Sequence, residues 1–156
     1  MKINKSVEQG VYVLLMMALQ KDHAPVKRHV LSQILGVSDS YLKKILMKLA
    51  KAQLVVSSAN KHGGYRLARP ITDVSLADVL MALDDDKAIT FKHLSQAIFD
   101  DKQHVKEGED KILKALEAGQ AAFYQEASKL KLSELLHEYA YESGVFDWEK
   151  RLDEAD

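Results

Sequence analysis

The strongest constraint on the fold lies in residues 26–49, which have the pattern of two short amphipathic helices joined by a tight turn. The apolar residues of the second helix recur at intervals of three and four, and they are Leu42, Ile45, Leu46 and Leu49. Gly36 suits a left-handed helix stop, and Ser38 suits the cap of the next helix. Two helices joined in this way are the sequence form of a helix-turn-helix.

Other elements extend this pair in both directions. An apolar run predicts a helix before it that ends near Leu19. After it, two strand candidates at residues 54–57 and 65–67 flank a turn that contains Gly63 and Gly64, which is typical of a β-hairpin. A helix-turn-helix followed directly by a hairpin has the order of a winged helix.

Helices are also predicted beyond the hairpin. A fourth helix begins at Ser75, where Asp78 completes an acidic form of the capping box. A weak pattern allows one short helix at residues 91–99, and an apolar stripe predicts a long helix at residues 109–130. Ser133 then caps a short last helix. The expected fold class is mainly α with a small β-hairpin.

The formal net charge of −1 conceals a division between two halves. Residues 1–70 hold 12 Lys and Arg against 3 Asp and Glu, whereas residues 71–156 hold 10 against 20. A basic half joined to an acidic half indicates that the first half meets a polyanion. The alternative is a polar surface that is divided by chance.

The composition excludes several classes of protein. The chain has no Cys, which excludes disulfides, thiolate catalysis and cysteine-ligated zinc or iron–sulfur sites. The apolar run at residues 11–19 is too short for a membrane span and lacks a small-residue cleavage site, so we expect a cytoplasmic protein with no membrane contact. Motifs of phosphate-binding loops, serine hydrolases and zinc proteases are absent from the sequence, and we expect no enzyme activity.

The outward positions of the third helix have the chemistry expected of DNA recognition. The N-terminal residues of such a helix contact base edges, and here they are Ser38, Asp39, Ser40, Tyr41 and Lys43. The later lysines Lys44, Lys48 and Lys51 suit phosphates. The alternative is a solvated helix whose lysines serve solubility, but the adjoining hairpin and the basic first half favour double-stranded DNA as the partner.

The hairpin turn supplies a second candidate contact. Gly63 and Gly64 allow a tight turn close to a ligand, and Lys61, His62 and Arg66 add positive or polar groups around it. A wing beside a recognition helix commonly enters the adjacent minor groove. In the alternative, this is a plain turn in which the glycines serve geometry alone.

Two segments carry a family resemblance. Residues 36–42 read GVSDSYL and residues 63–70 read GGYRLARP, and together they resemble the Rrf2 family of bacterial winged-helix regulators, which includes the IscR, NsrR and CymR types. The resemblance covers about residues 1–83. It implies a winged helix-turn-helix DNA-binding domain there, a connecting or effector region at residues 84–108, and a dimerisation helix with a short last helix at residues 109–156. It also implies a homodimer whose long helices cross, and a pseudo-palindromic operator.

The chain departs from the family at two places. Members that sense iron, nitric oxide or redox state carry three cysteines before the dimer helix, whereas residues 88–108 have none. The resemblance therefore implies a branch without the iron–sulfur cluster or another cofactor, regulated by a small molecule, by a partner protein or by neither. The family usually has Arg-Gly before the wing glycines, where this chain has Ala59 and Asn60, so Lys61 or His62 would have to replace the wing arginine.

Two histidines in the stretch before the long helix raise the question of a metal. His93 and His104, with Asp100 and Asp101 near by, are residue types that bind zinc or iron. Their spacing matches no metal motif, so we interpret them as exposed polar residues and expect no metal site.

The long helix is the candidate dimer interface. About 22 residues of helix would be ~33 Å long, which a small protomer does not easily bury, so pairing with a second copy is simpler than packing on its own domain. The expected contact residues are Ile112, Leu116, Gly119, Phe123 and Leu130.

The sequence thus predicts a sequence-specific DNA-binding transcriptional regulator that represses as a homodimer without an iron–sulfur cluster. The alternative is a winged-helix protein-interaction scaffold that has lost specific DNA binding. The departure in the wing and the acidic second half favour that alternative, and the lysines of the third helix oppose it.

Overall fold

The first three helices follow one another in the predicted order. The computed structural model describes residues 1–85 and 88–155. The helices are α1 (Lys5–Leu19), α2 (Arg28–Leu35) and α3 (Asp39–Lys51). Gly36 ends α2 with a left-handed φ of 68°, and the Ser38 side chain accepts a hydrogen bond from the Tyr41 backbone N–H at 3.2 Å. The predicted helix stop and helix cap are both confirmed.

Helix α2 begins later than residue 26, where the sequence pattern placed it. Val26 instead forms an isolated antiparallel bridge with Tyr65, in which each backbone N–H donates to the other residue's carbonyl at 2.9 and 2.8 Å. A residue paired with a strand has an extended backbone and cannot belong to the helix. The bridge fixes the start of α2 against the hairpin.

An antiparallel hairpin and a fourth helix complete the winged helix. The strands are β1 (Val55–Ser58) and β2 (Gly64–Leu67). Strand β1 is shifted by one residue from the predicted 54–57, and β2 begins one residue before the predicted 65–67. Helix α4 spans Leu76–Leu83. At its start the Ser75 side chain accepts from the Asp78 N–H, and the Asp78 carboxylate accepts from the Ser75 N–H at 2.8 Å. The predicted capping box is therefore confirmed.

The core lies between these helices and the hairpin. The four apolar residues predicted for the inner face of α3 are at most 2% exposed. They meet buried residues of α1 and α4, among them Leu14, Val79 and Leu83. Full burial of one aliphatic side chain contributes about 1.5–3 kcal/mol. This packing holds α3 with one face inward and the opposite face in solvent.

The long helix α5 spans Lys102–Ser128, so the predicted bounds of 109 and 130 are wrong at both ends. The Asp101 carboxylate caps it by accepting from the His104 N–H at 3.1 Å. Residues 102–108 are mostly charged or polar and exposed, and apolar periodicity cannot reveal a helical turn that has no buried face. Before α5, the helix expected at residues 91–99 is a single 3₁₀ turn, Leu94–Ala97.

The C-terminal region also differs from the prediction of one short helix after Ser133. It contains a 3₁₀ turn (Leu132–Leu135), helix α6 (Glu138–Glu142) and helix α7 (Trp148–Ala155). Leu136 is extended and separates the first two. Trp148 is buried, and its indole N–H donates to the Met16 carbonyl of α1 at 2.7 Å.

The division of the chain into domains at residues 83 and 108 stays a prediction, and residues 86–87 of the connecting region lie outside the described part. Within residues 1–85 and 88–155, no helix combines the length and hydropathy needed to cross a membrane.

Candidate nucleic-acid interface

The outer face of α3 is open to solvent. It carries most of the residues predicted to contact DNA, and the exposed ones are Ser38, Asp39, Ser40, Tyr41, Lys43, Lys44 and Lys51. Lys48 is half-buried, and Met47 stands among the lysines with 62% of its surface exposed. Because the opposite face is locked into the core, the helix presents a fixed polar surface to a ligand.

Arg28, the first residue of α2, was missed by the sequence reasoning and ties α2 to α3. Its Nε donates to Asp39 Oδ1 at 2.9 Å, and its Nη2 lies 2.8 Å from Asp39 Oδ2. This bidentate ion pair lowers the pKa of the Asp39 carboxyl below its ordinary value and raises the pKa of Arg28. The Asp39 carboxylate, predicted to face DNA, thus already has a partner within the chain.

Arg28 belongs to a short basic run at the start of α2. Lys27, Arg28 and His29 follow one another at the end where α2 meets the hairpin. Tyr65 of β2 also contributes to the raised pKa of Arg28, and its backbone is hydrogen-bonded to Val26, two residues before Arg28. The run itself was the available signal, since consecutive basic residues at the start of a helix-turn-helix suit phosphates.

The wing presents its predicted residues to solvent. Lys61 and His62 are exposed in the turn, and Arg66 is exposed on β2 opposite Val56. Gly64 has a φ of 155°, and a Cβ there would stand 2.5 Å from the Val26 carbonyl oxygen. Glycine is therefore required at this position by the close approach of the strand to the start of α2.

Three basic residues of the first half pair with acids of the second half. Lys48 forms an ion pair with the Asp85 carboxylate, and Lys27 Nζ lies 3.1 Å from Glu149 Oε1. Arg69 Nη2 lies 3.3 Å from Asp78 Oδ2, next to the cap of α4. That last pair gives Arg69, part of the GGYRLARP segment, a structural contact between the hairpin and α4.

The residues predicted for the dimer interface fall into two groups. Ile112 and Leu116 are 52% and 46% exposed, and a Cβ on Gly119 would have no neighbour within 4 Å in the described structure. Phe123 is half-buried against the core, and the backbone carbonyl of Leu130 accepts from the Leu76 N–H at 2.9 Å. The first three residues thus remain uncovered, while the last two are engaged within the chain.

A cleft of about 370 Å³ lies between the 3₁₀ turn and the start of α5, and Phe99, Val105 and Ile112 are among its lining residues. At its edge Glu109 accepts a hydrogen bond from the Ser95 hydroxyl, and its Oε2 lies 2.8 Å from His93 Nδ1. These bonds lower the pKa of the Glu109 carboxyl. Among the described residues, no group of three or more His, Cys, Asp or Glu side chains could hold a metal ion.

Comparison with known proteins gives a family match over most of the chain. The model of the Rrf2 family, described as an iron-dependent transcriptional regulator, matches residues 3–138. The Bacillus subtilis protein YwgB is 35% identical over 105 residues, which are 67% of each chain. The HTH-type transcriptional regulator IscR of Vibrio atlanticus is 34% identical over 93 residues, which are 60% of this chain and 54% of IscR. The chain thus spans two thirds of YwgB and about half the length of that IscR.

Solved structures show the same fold. CymR, the global cysteine regulator of B. subtilis, superposes with a TM-score of 0.60 at 19% identity, over 86% of this chain and 95% of CymR. IscR of T. potens superposes with a TM-score of 0.58 at 20% identity, over 100% of this chain and 91% of IscR. The architecture of helices with one antiparallel hairpin is therefore that of winged-helix regulators, and the predicted fold class is confirmed.

Proposed function

The chain belongs to the Rrf2 family of transcriptional regulators, and on that premise we propose that it is a cytoplasmic repressor that binds a pseudo-palindromic DNA operator as a homodimer. The observation that carries this proposal is the orientation of α3. Its inner residues are at most 2% exposed, so the lysine-bearing outer face is held rigidly outward. A helix fixed in this way can dock in a major groove without first being ordered.

The residues of α3 divide between sequence reading and positioning. Ser40, Tyr41 and Lys43 stand in the first turns of the helix, from where side chains reach base edges. Lys44, Lys48 and Lys51 follow along the helix and would contact phosphates. Lys61, His62 and Arg66 of the wing would contact the neighbouring minor groove. In a homodimer the two copies of α3 would meet half-sites about 34–36 Å apart.

The exposed stripe of α5 supports the proposed homodimer. Ile112 and Leu116 are about half exposed on one face of α5, with Gly119 one turn further along. A second copy of α5 crossing this stripe would remove both side chains from water, and such burial drives association.

The regulator would work without an iron–sulfur cluster. The sequence has no cysteine to ligate one. We assign effector binding to the cleft beside the start of α5, which is largely apolar and lies next to the exposed stripe. A small molecule there could bias the dimer between two arrangements if it binds them unequally.

The test is fluorescence-anisotropy binding to a duplex from the chain's own upstream DNA and to a scrambled duplex, at two salt concentrations. We expect tight, salt-sensitive binding with a preference for the upstream duplex. Tyr41→Ala should reduce that preference more than it reduces binding to the scrambled duplex. Lys44→Ala should weaken both and lower the salt slope by about one. Lys114→Ala, an exposed lysine of α5, is the matched control and should change neither.

A second candidate function, a winged-helix scaffold for other proteins, is favoured by the acids that pair with Lys27 and Lys48. Weak, salt-insensitive binding to both duplexes would support the scaffold and oppose the repressor.

If Tyr41→Ala loses equal affinity for both duplexes, Tyr41 does not read bases.

A further inference from the structure

We propose that the acidic second half of the chain restrains DNA binding from within, because its carboxylates occupy basic side chains that phosphates would otherwise contact. The two pairs concerned are Lys48 with Asp85 and Lys27 with Glu149. This inference rests on the proposed function, since it requires that DNA approach the outer face of α3 and the start of α2.

The first pair links the recognition helix to the segment after α4. Lys48 lies in the last turn of α3, and Asp85 lies just beyond the end of α4 at Leu83. The side chains are 39% and 73% exposed, so the pair stands at the surface, where a phosphate can reach the ammonium group. DNA that contacts Lys48 must displace the Asp85 carboxylate, or its phosphates must lie close to the negative charge of Asp85.

The second pair places an acidic residue of α7 at the start of α2. Lys27 is the N-cap residue of α2, and Glu149 stands in the first turn of α7. Helix α7 does not depend on this ion pair for its position, because Trp148 anchors it. The Trp148 indole N–H donates to the Met16 carbonyl at 2.7 Å, and its backbone N–H donates to Gln20 Oε1 at 3.1 Å. Glu149 is therefore held against the basic run by a buried neighbour.

The two restraints have different relations to the family match. Asp85 lies inside the matched residues 3–138, whereas Glu149 lies beyond them.

The two ion pairs give the uneven charge of the chain a role in DNA binding. The acidic half supplies carboxylates to the basic half in the absence of DNA, and the phosphates of DNA replace them when it binds.

The expected effect is a tuning of affinity and not an on–off switch. Exposed ion pairs are weak, because water and salt screen them and the side chains lose freedom when they pair. Removing one competing carboxylate should tighten DNA binding by about two- to fivefold at low salt. The gain should shrink as the salt concentration rises, because salt already weakens the internal pair.

The experiment measures the affinity of the full chain for the upstream duplex by anisotropy at low and high salt. The variants are Asp85→Asn and Glu149→Gln. Their controls are Asp110→Asn on α5 and Glu154→Gln on α7, which make the same change in charge at exposed acids without an ion pair among the described residues. Each test variant should bind more tightly than its control, and all four should unfold at nearly the wild-type temperature.

A second background separates the specific pair from a general change in charge. With Lys48→Ala already present, Asp85→Asn should bind no more tightly than Asp110→Asn in that background. A gain that persists without Lys48 would overturn the proposed competition at that lysine, as would equal affinities of Asp85→Asn and Asp110→Asn in the otherwise wild-type chain. Absence of DNA binding by every variant would overturn the proposed function as well, whereas normal DNA binding that is indifferent to both acids would overturn the inference alone.

Discussion

Helix α3 and the first half of α5 carry similar apolar stripes but have opposite surroundings. In both sequences apolar residues recur at steps of three and four. The stripe of α3 is at most 2% exposed, whereas Ile112 and Leu116 of α5 are 52% and 46% exposed. The difference teaches that helical periodicity predicts an apolar face that packs against other residues. It does not predict whether those residues belong to the same chain or to a second chain. Three variants test this interpretation, from the largest expected effect on folding or association to the smallest.

Leu46→Ala should produce the largest effect. Leu46 is 0% exposed, so its truncation leaves a cavity in the core and should lower the free energy of unfolding by about 2–5 kcal/mol. Urea denaturation measures this directly. Met47→Ala, one position along and 62% exposed, is the control and should change the free energy by less than about 0.5 kcal/mol. Similar losses for the two variants would mean that α3 is not held by its inner face.

Leu116→Asp should act on association and leave the folded protomer nearly unchanged. A charge in the exposed stripe of α5 is solvated in the monomer but would be desolvated against a second copy. Sedimentation velocity should show a monomer for this variant and a dimer for wild type. Ala118→Asp, an exposed position on a different face of α5, should remain dimeric. Persistence of the Leu116→Asp dimer would place the interface elsewhere. Phe123→Asp is a less specific probe, because Phe123 also packs on the chain's own core.

Asp39→Asn should have the smallest effect, confined to a pH window. Arg28 lowers the pKa of Asp39 in the folded chain, so the ion pair contributes stability above the ordinary pKa of this carboxyl. That contribution is lost as the pH falls through the lowered folded pKa. Asp39→Asn should therefore unfold more readily than wild type at neutral pH, and the difference should close in the acid range. Thermal unfolding across pH measures it, with Asp110→Asn expected to follow the wild-type curve. A difference that widens toward acid pH would contradict the assigned role of Arg28.

The parts of the fold that the sequence predicted are those with local causes. Gly36, Ser38 and Ser75 mark helix ends through backbone conformation or a side chain that bonds within three residues, and such signals are legible in a short window. The sequence did not predict the extra turns at the start of α5, because a helix that is exposed on all sides has no apolar periodicity. The sequence did not predict helix α7 either, because a single buried residue, Trp148, anchors it and one residue makes no periodic pattern.

The candidate interface was predictable to a similar extent. The lysines of α3 follow from helical spacing, because the four inner positions determine which positions point outward. The acidic partners of Lys48 and Lys27 do not follow from spacing, because Asp85 lies 37 residues from Lys48 and Glu149 lies 122 residues from Lys27. Spacing along the chain cannot reveal pairs that only the tertiary fold brings together.

The bond between Trp148 and Met16 also has a consequence for how the chain folds. It joins residues 132 positions apart and ties the buried Trp148 to α1, the first helix of the chain. Local contacts within α2, α3 and the hairpin can form early, since the loops they close are short. Closing a loop of this length costs more conformational entropy, so we expect α7 to dock late in folding. We therefore expect the first helix to gain its contact with Trp148 only after most of the chain has been ordered.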